Sequence, residues 1–204
     1  MAQSQTDACN SALQKLGAAR IIDINSNTRE ARQCQIAYDS NRRSELRKYR
    51  WNFSIKRVIL APDSTPPSFD FLYQFTIPAD CLRILLPPDS MLDWVREGNK
   101  ILTNNGATLN LRYIADIEDV TMWDPNFYDM FAISLAVDIC EPITNSTGKK
   151  ATLDQEYKEA RSNARLANSF ERTPDFPPAD DWWVSRITGS TIDRVNFTTP
   201  SAGF

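Results

Sequence analysis

The chain has 204 residues, of which 42% are hydrophobic, 24% charged and 10% aromatic. These are the proportions of a globular chain able to bury a core, and they exclude collagen-like, coiled-coil and wholly disordered character. With 23 Lys and Arg against 26 Asp and Glu, the net charge is -3, so any attraction for nucleic acid or an anionic membrane must be local.

The absence of histidine excludes Ser-His and Cys-His nucleophile pairs and every His-bearing zinc or iron site. Cys9, Cys34, Cys81 and Cys140 are scattered without a C-x-x-C pair and read as small core residues of a chain made in a reducing compartment. The N-terminus is polar, and the longest apolar stretch, Phe131 to Val137, is far shorter than a membrane span. A soluble protein, synthesised in the cytoplasm and without a membrane partner, is expected.

In chain order, Thr6 or Asp7 can cap a first helix whose Ala8, Cys9, Ala12, Leu13 and Leu16 recur at helical spacing, with Gly17 as a left-handed stop. Thr28 opens a second helix, to about residue 50, burying Ala31, Cys34, Tyr38, Leu46 and Tyr49 and leaving a charged opposite face. At Trp51 the period changes to alternation, with Trp51, Phe53, Ile55 and Ile59 on one side, which predicts a strand. Further strands are expected at Phe71–Ile77, Leu82–Leu86, Leu92–Arg96, Lys100–Thr103 and Leu109–Ala115. Glu97-Gly98-Asn99 and Asn104-Asn105-Gly106 supply turns. Asp124-Pro125 fits an N-cap and N1 proline for a nearly buried third helix that Pro142 should end, and a fourth helix runs from about Lys149 to Phe170.

The fold class predicted is α+β. Residues 1–50 and 119–172 form an α-helical bundle, with helices at about 6–17, 28–50, 125–141 and 149–170, and residues 51–118 form an antiparallel β domain inserted into it. Residues 173–204 read as an extended tail with four prolines, few aliphatic residues and the pair Trp182-Trp183. Fully extended, that tail reaches on the order of 100 Å.

Catalytic motifs are weak. Asp116, Glu118 and Asp119 cluster, but without the loop pattern of an EF-hand. Gly148-Lys149 has no glycine five residues earlier and no preceding strand, so it is not a Walker A loop. Neither a catalytic residue, nor a metal ligand, nor a cofactor site is assigned. Two features point instead to binding. Between Arg42 and Arg57 lie Arg42, Arg43, Arg47, Lys48, Arg50, Lys56 and Arg57 against the single acid Glu45, a local charge of +6. Such a segment can contact phosphate, form a solvated helix face or pair with acids of a neighbouring subunit. In the tail, Phe176, Trp182, Trp183, Phe197 and Phe204 are candidate anchors for a partner, since aromatic side chains supply large contact area.

Three stretches carry a resemblance. The first is Cys9-Asn10-Ser11-Ala12-Leu13-Gln14-Lys15-Leu16-Gly17, followed by Ile24-Asn25. The second runs through Ala31, Cys34, Tyr38-Asp39, Arg42, Leu46 and Tyr49 into Trp51-Asn52-Phe53-Ser54, with Arg57 and Leu60 beyond. The third is Tyr73-Gln74-Phe75, then Ile77-Pro78-Ala79-Asp80-Cys81-Leu82-Arg83. In this order, over about the first ninety residues, the chain resembles the tail tubular protein A family, the head-to-tail adaptors of short-tailed, podovirus-type phages. The resemblance implies a non-enzymatic structural protein of the virion neck, assembled in the host cytoplasm. It implies a dodecameric ring whose partners are its own copies, the portal and a tail nozzle protein of the tail tubular protein B type, with DNA passing transiently through. The alternative from the residues alone is a nucleic-acid-binding module using 42–57.

Overall fold

Local chemistry sets the helix ends. The computed structural model describes residues 4–85, 93–104 and 108–171. Helix α1 (Gln5–Leu16) has its cap two or three residues before the Thr6 or Asp7 that the spacing predicts. Ser4 is its N-cap and Asp7 is the third residue of a reciprocal capping box. Gly17 closes α1 at φ 68°, the left-handed conformation that costs glycine nothing. Helix α2 (Arg29–Lys48) is capped by the Thr28 hydroxyl, which accepts from the Ala31 amide.

The predicted strand at Trp51 begins later. Trp51 is buried and leads into a 3-10 turn, Asn52–Ser54, closed by the Ser54 hydroxyl donating to the Trp51 carbonyl at 2.9 Å. Strand β1 (Ile55–Leu60) follows, and its burial differs from the expected alternation: Ile59 is 69% exposed, whereas Val58 and Leu60 pack on the core. The turn breaks the two-residue period, so the phase counted from Trp51 does not carry through.

The remaining strands are β2 (Tyr73–Thr76), β3 (Cys81–Leu85), β4 (Trp94–Glu97), β5 (Lys100–Thr103) and β6 (Leu109–Ala115). The last two match their predicted bounds. The predicted strand ends at Leu86 and Leu92, and the turn residues Asn105 and Gly106, lie outside the described residues. All pairings are antiparallel, in two three-stranded sheets ordered β1-β6-β3 and β2-β5-β4. Gly98, at φ 54°, turns β4 into β5.

Helix α3 (Pro125–Thr144) has the Asp124 cap and N1 proline expected, and it is buried on almost every side against α1, α2 and α4. It does not stop at Pro142. The proline sits inside the last turn, and Asn145, in a left-handed conformation, ends the helix. Proline removes one amide donor, so near a C-terminus the helix loses one bond to Asp138 and continues. Helix α4 (Thr147–Phe170) starts at the Ser146 cap, slightly before the predicted Lys149.

The fold is therefore α+β, and among the described residues its order is helix–helix, six strands, helix–helix. One hydrophobic core joins Leu13, Leu46 and Leu135 of the helices to Ile101, Leu111 and Ile114 of the strands. At its centre Phe127 meets Trp51, Phe53 and Trp123 edge-on at centroid distances of 5.0–5.2 Å, and Phe131 meets Tyr38 and Trp123 likewise. Both indoles are satisfied: Trp51 Nε1 donates to the Glu45 carbonyl and Trp123 Nε1 to the Ile117 carbonyl. Among the described residues, no helix is long and apolar enough to cross a membrane.

Candidate interface of the basic segment

Helical spacing puts Arg42 and Glu45 on the inward side of α2, where a charge must be paired to be tolerated. Arg42 has a side chain only 4% exposed. It donates through Nε and Nη2 to both oxygens of Asp116, at 3.0 and 3.2 Å, and through Nη1 to Asp39 at 2.9 Å. Glu118 lies 3.6 Å from it, and Arg43 reaches Asp116 at 3.3 Å. Glu45 accepts from Lys48 (2.6 Å), Ser134 (3.1 Å) and the Tyr157 hydroxyl (2.9 Å), tying α2 to α3 and α4. Burial alone would lower the Lys48 pKa, but the Glu45 carboxylate outweighs it and holds it above its ordinary value. Burial first, then the same carboxylate, pushes the Tyr157 phenol up.

Lys56, on β1, reaches across to Asp80 at 2.8 Å, and Tyr113 of β6 donates to the other oxygen at 3.0 Å. Burial of Asp80 works to raise its pKa, yet these two bonds win and hold the carboxyl below the usual range. Arg47 donates to the Leu82 carbonyl of β3. The Arg50 carbonyl accepts from Asn168, whose own side chain and backbone oxygens receive the two nitrogens of Asn52 at 2.8 Å. Among the described residues, Arg42, Arg43, Lys48 and Lys56 of this segment thus face carboxylates of their own chain. Arg57 is exposed on β1, and no described carboxylate pairs with it.

The acid cluster is similarly taken up. Asp116 serves Arg42 and Arg43, Glu118 lies against Arg42, and Asp119 accepts from the Thr121 amide and hydroxyl. Among the described residues, no group of three His, Cys, Asp or Glu side chains is disposed to hold a metal ion. Lys149, half of the phosphate-loop look-alike, caps the end of α1 by donating to the Leu16 carbonyl at 2.6 Å. Phe176, Trp182, Trp183, Phe197 and Phe204 lie outside the described residues.

Two groups escape a reading of the sequence. The buried Glu45–Ser134–Tyr157 network joins residues far apart in the chain. Arg83 and Arg112, isolated in sequence, sit on strands of the same sheet as Arg57. Their signal lies in strand register, which local pattern does not give. No family model matches this chain, and no curated protein matches it.

Proposed function

We propose that this chain is the subunit of a head-to-tail adaptor, a dodecameric ring seated between a phage portal and tail nozzle, around the channel for DNA. One observation carries the reading: the residues that bear the resemblance are the joints of the fold. Arg42 of the second stretch binds Asp39 beside it and Asp116 after β6, and Leu82 and Asp80 of the third receive Arg47 and Lys56. Asn52 is clasped by Asn168 of α4, and Leu16 of the first stretch receives Lys149. Cys9, Leu13, Tyr38, Leu46, Trp51 and Phe75 are core. A sequence signature made of joints and core suits a protein whose task is to hold a shape, whereas an enzyme's signature lies in a cleft. The rival reading, a nucleic-acid module using 42–57, is weakened by the internal pairing of Arg42, Arg43, Lys48 and Lys56.

The test is mass photometry of portal rings of a short-tailed phage mixed with the purified chain. The expected result is a discrete added mass of about a dozen subunits. A portal that stays bare at high concentration overturns the reading. A chain ending at residue 173, measured alongside, is expected to dock poorly; unchanged docking removes the tail from the proposal.

A further inference from the structure

Strand register collects arginines that the sequence scatters. Arg57 of β1 and Arg112 of β6 are directly opposed, so their side chains share a face. Arg112 and Ile114 are two apart on β6, and Arg83 of β3 is opposite Ile114, which places Arg83 on that face too. Three arginines therefore lie on three neighbouring strands, with Arg83 offset by two residues along the sheet, so that two strand spacings across and two residues along separate the outer pair by about 12 Å at the backbone. Arg47, from the end of α2, stands beside Arg83. Among the described residues, no carboxylate forms an ion pair with Arg47, Arg57, Arg83 or Arg112. Arg50 lies near them but has interactions of its own and is left out of the count.

Directly opposed like charges destabilise a sheet, and nothing in the core requires them here. Burial, and then the neighbouring arginines, lowers the pKa of both Arg83 and Arg112. The buried Nε of Arg112 has no hydrogen-bond acceptor. Arg57 and Asn110 are exposed at the open end of the face, beside Ile59. A cluster of arginine forks without an interleaved carboxylate among the described residues matches a chain of repeated oxyanions, to which each can donate bidentately. A protein surface, which mixes acids with its own cations, meets such a cluster less well.

We propose that Arg57, Arg83 and Arg112, with Arg47 behind them, form a face that binds the phosphodiester backbone of nucleic acid. The site differs from the basic segment: two of its members lie outside 42–57, and Arg42, Arg43, Lys48 and Lys56 take no part. It goes beyond the adaptor reading and stands or falls separately.

The test is fluorescence anisotropy of a short labelled DNA duplex against the full chain, over a salt titration. Three phosphate contacts give a slope of log affinity on log salt of about -2.7. R57A/R112A is expected to reduce that slope by about 1.8 and to weaken binding roughly tenfold or more. R43A/K56A, whose cations face Asp116 and Asp80, keeps the original slope. Because the first variant removes a repulsion, its melting temperature should stay level or rise; if it fails to fold, R57Q/R112Q retains the side-chain bulk and gives the same readout. No retention of duplex by the unaltered chain at low salt overturns the proposal, as does an unchanged slope in R57A/R112A or an equal loss in R43A/K56A. If R57A/R112A binds DNA normally but no longer adds to portal rings, the guanidinium groups meet carboxylates of a partner, and the phosphate site is wrong while the adaptor reading survives.

Discussion

Arg42 and Arg57 belong to the same basic segment and have opposite environments. Arg42 is enclosed, with its fork on Asp116 and its third donor on Asp39, so removing it leaves a nearly buried carboxylate without its main partner. Breaking one side of such a pair costs about 3–5 kcal/mol. Arg42→Ala should lower the urea midpoint accordingly with the slope of the transition unchanged, whereas Arg57→Ala should shift stability by no more than about 0.5 kcal/mol. Equal effects of the two would mean that the Arg42–Asp116 pair is not the anchor of α2. From the sequence, both residues are only positive charges. Their fates differ because Asp116 is far away in the chain and is brought in by β6, whose last residue is Ala115.

An element is legible in the sequence where its cap or its period is local. Thr28, Asp124 and Gly17 do what their types suggest, because each acts on backbone groups within three or four residues. Pro142 is the exception. Its ring cannot continue the hydrogen-bond ladder, yet α3 runs on, because burial of Ile139 and Cys140 and the bond from Arg29 to the Pro142 carbonyl hold the last turn. The helix therefore tolerates a local defect. Pro142→Ala is expected to stabilise the protein by about 1 kcal/mol or more, read as a higher melting temperature. A lower melting temperature would show that the proline's rigidity in the unfolded chain outweighs the missing bond. The 3-10 turn at Asn52–Ser54 is the other departure: Trp51 must enter the aromatic cluster, and the backbone turns tightly to allow it.

Across the whole molecule, pH should act through a few carboxylates. Ser4 lowers the Asp7 pKa through its hydrogen bonds, and Lys100 lowers that of Asp63. Asp80 is also lowered, Lys56 and Tyr113 prevailing over burial. A carboxyl whose folded pKa lies below its unfolded value, about 3.9, stabilises the fold above that pH. The contribution is lost as pH falls through the folded pKa. Tyr113 works at the other limb: burial, then Asp80, pushes its phenol up to about 12, so its contribution is complete below its unfolded value and is lost as pH rises through that range. Thermal melts should be flat between about pH 5 and 9 and fall on both sides. Asp80→Asn should melt lower at neutral pH, with the difference closing in acid. A constant difference down to the lowest pH would remove Asp80 from the account.

The sequence by itself determined the α+β class, the order of helices and strands, the caps at Gly17, Thr28 and Asp124 and much of the core, because these depend on propensity and period within a few residues. It also determined that histidine chemistry is absent, since composition is independent of folding. Tertiary structure decided which charges are neutralised and which stand together. The antiparallel pairing of β1, β3 and β6 places Arg57, Arg83 and Arg112 on one face, and the packing of α2 against the loop after β6 brings Arg42 to Asp116. Charge interactions depend on distance in space, and here the folded chain sets that distance through strand register and helix packing.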